Sequence, residues 1–216
     1  MAADRREAEM TQTAAGHHAG HQLSFSGPLG LVAGLAMAVG RGRVARTVAD
    51  LAAVRPGDRV VDVGCGPGTF LREVAGRGAE AVGVEPAAQM RRLALRLTPA
   101  RLRAAVSVLD GTAERLPLGD ESATVAWAVS SAHHWADLDA GLAELHRVLV
   151  PGGRLLVIER LARPGGWFQH HSLSRQRAED MAARATAAGF AAVGVEQHAL
   201  GRYRFVLVRA RRASAG

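Results

Sequence analysis

The stretch Val60-Val61-Asp62-Val63-Gly64-Cys65-Gly66-Pro67-Gly68-Thr69 decides how this chain folds. A β-branched run ends beside a carboxylate, alternating glycines follow, and a helix-compatible segment opens at Thr69. That order is strand, tight loop and helix, the βα unit of an α/β protein. Glycines turn the backbone sharply and allow a ligand to lie against it with no Cβ in the way. A dinucleotide loop of the form G-x-G-x-x-G brings a helix N-terminus to a pyrophosphate, but here Thr69 stands at the third glycine position. The loop therefore suits a ligand without a pyrophosphate. Asp62 agrees, because a carboxylate at a strand end repels phosphate but anchors the ammonium of an amino-acid moiety, directly or through water. Such a loop alone is also an ordinary βα turn. Gly83-Val84-Glu85-Pro86 adds a second carboxylate at the end of the next strand, about twenty residues on, where an acid accepts ribose hydroxyls.

Working outward, Val44, Val48 and Leu51 recur at helical spacing, and Arg55-Pro56-Gly57-Asp58 stops that helix with a turn. Short β-branched runs then alternate with helical stretches, the pattern of a parallel sheet covered on both faces. Strands are expected at 59–63, 81–84, 105–109, 124–129, 154–159, 192–197 and 203–208, with helices near 69–75, 87–97, 138–149 and 174–188. Only His198 to Arg202 separates the last two strands, too little for a crossover helix, so they should pair antiparallel. Residues 1–40 differ in character. They are polar with His17, His18 and His21, then apolar and glycine-rich, and are expected to form a partly flexible arm or cap on a domain spanning 41–210.

A chain of 216 residues with 48% hydrophobic residues can bury one core without disulfides. Cys65 is its only cysteine, so no internal disulfide forms, and the polar start lacks the apolar run of a signal peptide. A cytoplasmic location is the expectation. Leu29 to Val39 is too short to span a bilayer and is interrupted by Gly30 and Gly34. The net charge of +7 would favour polyanions, yet all 27 basic residues are arginine and there is no lysine or asparagine. They lie scattered, with no basic helix or aromatic-interleaved stripe, so a nucleic-acid partner is not expected.

At this point the sequence resembles the class I S-adenosylmethionine-dependent methyltransferases, in particular the group that includes ubiquinone and menaquinone biosynthesis enzymes. The resemblance covers Val44 to Leu207 and rests on four ordered signals. These are 61–69, 83–86, then Gly111-Thr112-Ala113-Glu114-Arg115-Leu116-Pro117-Leu118, and Leu145-His146-Arg147-Val148-Leu149-Val150-Pro151-Gly152-Gly153-Arg154-Leu155. It implies a Rossmann-like α/β fold whose seven-stranded, mostly parallel sheet has the order 3-2-1-4-5-7-6, strand 7 antiparallel, with helices on both faces. It also implies S-adenosyl-L-methionine as cofactor. By the likeness Asp62, Gly64, Cys65, Gly66 and Gly68 line the methionine half, while Glu85 and the adjoining Pro86 hold the ribose. Met90 either packs on the adenosine or is a core residue of an amphipathic helix. Ala113, beside Glu114, offers an amide to adenine, and Ser130 offers a backbone oxygen to the ammonium. The family's usual Gly-Asp-Ala-Glu is here Gly111-Thr112-Ala113-Glu114. Thr112 would accept from the adenine amine, as a neutral and weaker acceptor, and Asp110 would substitute only if the loop turned it inward.

Methyl transfer from a sulfonium is an in-line displacement in which orientation and desolvation supply most of the catalysis. A base is needed only when the acceptor must lose a proton, a task that suits histidine. His133 and His134, in Ser130-Ser131-Ala132-His133-His134-Trp135 after the fourth strand, are the base candidates, unless that motif only shapes the pocket. His170 and His171 stand where acceptor contacts fall. No metal is expected, since H-x-x-x-H spacing occurs only at His17 and His21, outside any expected helix, and the lone cysteine lies in the cofactor loop. The chain lacks an Asp-Pro-Pro-aromatic motif and any cysteine outside that loop, which excludes amino-methylating DNA enzymes, cytosine-C5 chemistry and arsenite methylation. A small organic acceptor methylated on O, N or C is the leading reading. The alternatives are a non-catalytic S-adenosylmethionine-binding protein and a nicotinamide-dependent oxidoreductase.

Overall fold

The computed structural model of the protein describes residues 41–161, 174–201 and 203–214. The expected arm with His17, His18 and His21, the apolar run 29–39, and His170 and His171 lie outside the described residues.

Side chains alternate across a strand, and in β1 (Arg59–Val63) that alternation sends Val61 and Val63 to one face and Val60 and Asp62 to the other. Around β1 the sheet grows by β2 (Glu80–Val84), β3 (Val106–Leu109), β4 (Ala123–Val129), β5 (Leu149–Arg160), β6 (Phe190–Leu200) and β7 (Tyr203–Arg212). Its order is β3-β2-β1-β4-β5-β7-β6, with β1 to β5 parallel and β7 antiparallel to both neighbours. Order and antiparallel ending are as the sequence and the resemblance imply.

Helices α1 (Gly42–Leu51) and α2 (Thr69–Gly76) cover the face of Val60, Val125, Trp127 and Ile158. Helices α4 (Leu138–Val148) and α5 (Arg175–Ala187) cover the face of Val61, Val157 and Val206, while α3 (Ala88–Leu97) lies beside β3. The Asp137 carboxylate starts α4 by accepting from the Asp139 and Ala140 amides at 2.9 and 3.0 Å, and Ser174 caps α5. No described helix is long and apolar enough to cross a membrane.

β5 begins five residues before the expected Arg154. Leu149 pairs with Ala123, the register shifts, and regular pairing resumes at Val125 with Arg154. The Pro151-Gly152-Gly153 segment, which lacks one amide donor and holds Gly152 at φ +77, is absorbed as that irregularity.

The edge of the sheet at the start of β1 is tied by one network. The buried Asp58 carboxylate accepts from the Arg55 amide at 2.9 Å, from the Thr124 hydroxyl at 2.7 Å and from the Arg154 guanidinium, while Arg154 also donates to the Ala52 and Ala53 carbonyls. Burial alone would raise the Asp58 pKa, but the hydrogen bonds from Thr124, the Arg55 amide and Arg154 together lower it. Removing one partner of such a pair leaves an uncompensated charge. Arg154→Ala should therefore lose about 3 kcal/mol of unfolding free energy in urea titrations, with cofactor affinity unchanged because this network lies at the opposite end of β1 from the glycine loop.

Candidate active site

A cavity of about 520 Å³ opens at the carboxyl ends of β1, β2 and β4, where the strand order reverses direction about β1 and ligands bind in such sheets. Asp62, Gly64, Cys65, Gly66, Glu85, Pro86, Met90, Thr112, Ala113, Glu114, Ser130 and His134 all line it. Gly68 and His133 do not. Gly68, left-handed at φ +73, sits where an added Cβ would lie 2.9 Å from the Ala94 Cβ, so its role is close packing of α2 on α3.

The glycines of the loop differ in purpose. A Cβ on Gly64 would lie 2.5 Å from the Ser131 Cβ, so this glycine admits the loop after β4, whose Ser131 hydroxyl donates to the Val63 carbonyl at 2.6 Å. A Cβ on Gly66 meets nothing within 4 Å, and Gly66 lines the cavity. Only there does the missing side chain leave open space for a ligand to approach backbone.

Glu85 clamps the loop. Its Oε2 accepts from the Gly66 amide and its Oε1 from the Ala87 amide, both at 3.0 Å. Each oxygen keeps a further lone pair for a ligand donor, and burial raises the carboxyl's pKa despite those two bonds. Asp62 is 1% exposed with Oδ2 lacking a hydrogen-bond partner. Burial pushes it up to about 7, against the opposing influence of the Trp127 indole and the Arg41 charge and with a contribution from Glu85. Trp127 is its register partner on β4, and its indole N–H faces the carboxylate without reaching hydrogen-bond geometry. A buried carboxylate oxygen without a donor is costly, and a cationic ligand group would answer it. Burial, then the charges of Asp62 and Glu85, push the Cys65 thiol up, so it is no nucleophile at neutral pH.

At the end of the cavity lined by Thr112, Asp110 does not turn inward. It forms a two-pronged pair with Arg91 at 2.9 Å for both contacts, leaving Thr112 on the cavity wall. Glu114 lines the cavity and holds the next loop by accepting from the Ala136 and Asp137 amides at 2.7 and 3.3 Å. Ser130 adopts φ +55, the kind of backbone strain that persists at ligand sites.

Sequence reasoning missed Arg41. It immediately precedes α1 and lines the cavity, with its guanidinium 3.4 Å from the Ser130 Oγ and 5.5 Å from the centre of the Phe70 ring. One arginine among 27, outside any motif, gave no signal. The two histidines part company: His134 lines the cavity, whereas the His133 ring points to Glu159 with Nδ1 2.9 Å from Oε2. Among the described residues no three metal-ligating side chains cluster.

With this geometry in hand, the family described as "Methyltransferase domain" matches residues 61–157. An uncharacterized methyltransferase of Mycobacterium tuberculosis is 39% identical over 116 residues, covering 51% of this chain and 44% of that protein. A demethylmenaquinone methyltransferase of Thermus thermophilus is 35% identical over 125 residues, covering 57% and 56%. The chain thus spans about half the length of the relatives it matches. Among solved structures, a SAM-dependent methyltransferase from Aquifex aeolicus superposes with a TM-score of 0.67 at 21% identity over 78% of this chain and 89% of that one. A cyclase superposes with a TM-score of 0.68 at 22% identity over 81% and 82%. Over residues 61–157 the chain thus matches a methyltransferase domain, and it is similar there to methyltransferases of ubiquinone and menaquinone biosynthesis.

The electrostatics of the cavity are open to a direct check. In ligand-free protein the Asp62 carboxyl carbon should titrate near pH 7 by NMR. Arg41→Ala should move that midpoint upward, because a nearby cation favours the ionised form. An unmoved midpoint would show that the Arg41 charge does not reach Asp62.

Proposed function

We propose that this protein transfers the methyl group of S-adenosylmethionine to an O, N or C atom of a small organic acceptor, with His134 as the base where the acceptor must lose a proton. The catalytic unit is residues 41–210, to which the first forty residues are an addition. The observation that carries the reading is buried Asp62, a carboxylate with an unpartnered Oδ2 that lines a cavity left open by Gly66 and bounded by Glu85. Orphaned acid, open backbone and second carboxylate are the acceptors and the space that an amino-acid ammonium and a ribose require.

The cofactor supplies an electrophilic methyl carbon on a sulfonium with a good leaving group. The chain's own residues do the rest. Asp62 accepts from the ammonium together with the Ser130 carbonyl, Arg41 meets the carboxylate, and Glu85 accepts from the ribose hydroxyls. Thr112 and the Ala113 amide take the adenine edge, with Met90 packing beside it. The lining acids Asp62, Glu85 and Glu114 against Arg41 make a poor bed for a pyrophosphate, which weighs against a nicotinamide cofactor.

The sign of the pH effect follows from Asp62. Proton and ammonium compete for one carboxylate whose pKa is about 7 in the ligand-free protein. Affinity for S-adenosylhomocysteine by calorimetry should fall as pH drops from 7 to 5, approaching about tenfold per unit, and Asp62→Asn should flatten that slope. Arg41→Ala should weaken S-adenosylmethionine by about tenfold or more and decarboxylated S-adenosylmethionine distinctly less, the smaller loss coming from the raised Asp62 pKa. Equal losses for both ligands would remove Arg41 from the carboxylate.

Catalysis is tested by following release of S-adenosylhomocysteine across a panel of phenols, amines and carbon acids. Steady release with one of them is expected, and binding without turnover across the panel would favour a cofactor-binding protein that transfers no methyl. For an acceptor that must be deprotonated, His134→Ala should lower kcat by about a hundredfold. Unchanged kcat from acid to alkaline pH would mean His134 is not the base.

A further inference from the structure

Glu159 is a carboxylate for which the cofactor half of the site has no use. Alternation along β5 places it on the face of Leu155 and Val157, beneath α4 and α5, and it is 1% exposed. An apolar residue of similar volume would serve the fold there at least as well. Both of its oxygens are engaged by a single residue. Oε2 lies 2.9 Å from the His133 Nδ1, and Oε1 accepts from the His133 backbone amide at 3.4 Å. Ring and backbone of His133 are thus fixed from one point, at the short 3-10 turn Ala132–His134. The His133 ring in turn packs on the His134 ring, with centroids 4.0 Å apart and planes tilted by 44°, and His134 is the member of the pair that lines the cavity.

We propose that Glu159 is a positioning residue for the acceptor-side histidine pair: it fixes His133 with the proton on Nδ1 and, through the ring contact, sets the face that His134 turns to the acceptor. An imidazole is more basic than a carboxylate, so the shared proton belongs to Nδ1 and the lone pair of the neutral ring to Nε2. A hydrogen bond at one ring nitrogen commonly decides the state of the other. The proposal rests on the reading of His134 as an acceptor-side group, but its test needs no turnover and so fails or succeeds separately from methyl transfer.

The test is long-range nitrogen–proton NMR of ring-labelled protein at about pH 9, where an ordinary imidazole is neutral. In the unaltered protein, His133 should carry its proton on Nδ1 in about nine-tenths or more of molecules, against the usual preference for Nε2. Glu159→Met removes the acceptor and should bring that fraction below about half, with the His134 ring signals displaced. Glu159→Gln keeps an acceptor oxygen and should restore Nδ1. Calorimetry should find S-adenosylhomocysteine bound within about twofold of the unaltered protein in both variants. A bare Nδ1 in the unaltered protein overturns the proposal without any variant having to fold. So does a Met variant whose tautomer and His134 signals stay put, or one that loses S-adenosylhomocysteine, which would assign Glu159 to the cofactor half instead.

Discussion

The pair of hydrogen bonds that Glu85 accepts from the Gly66 and Ala87 amides holds the site together. It joins the loop after β1 to the loop after β2, and it does so with a buried carboxylate, so charge and architecture come from the same group. Asp62 lies near enough for the two acids to raise each other's proton affinity. Arg41 compensates them only in part, since Asp62 still sits at about 7. The site is therefore electrostatically unfinished, and a cationic group in the cavity would relieve it. Strain of this kind is tolerated where binding offsets it.

That strain is confined to one edge of the sheet. At the other edge Asp58 is fully answered by Arg55, Thr124 and Arg154, and its pKa falls where that of Asp62 rises. Two aspartates at the ends of β1, both buried, differ in whether donors reach them. The first locks β1, β4 and β5 together, and the second lines the cavity. The rigid end allows the other to be strained, because the strand ends are fixed by parallel pairing rather than by the loops themselves.

Much of this was legible from residues alone. The β-branched runs set the strands within a residue or two for β1 to β4, and the glycine loop with Asp62 and Glu85 marked the cavity. The resemblance supplied the strand order, which pattern does not encode. What stayed hidden had physical reasons. Asp58 looked like a turn residue after Pro56-Gly57, since its partners come from residues 66 and 96 positions away. The loop glycines all looked like ligand contacts, but Gly64 and Gly68 answer to neighbouring side chains. His133 and His134 are adjacent, and only tertiary placement shows that one faces the cavity and the other Glu159. One local signal did exist for Glu159: it continues the alternation of Leu155 and Val157, so a carboxylate was due on a buried face.

The end of the cavity at Thr112 shows how a departure from the pattern of the resembled family is accommodated. Arg91 donates to the Glu85 and Pro86 carbonyls at 2.8 and 2.7 Å and grips both oxygens of Asp110. One guanidinium thus ties the loop after β2 to the loop after β3 and keeps Asp110 on the surface. A charged acceptor at position 112 would place a further carboxylate in a cavity already holding Asp62, Glu85 and Glu114, where like charges in a low dielectric raise one another's proton affinity. Thr112 avoids that repulsion and offers a neutral oxygen instead. The neutral oxygen at Thr112 and the unpartnered Oδ2 of Asp62 then follow from one allocation of charge along the cavity.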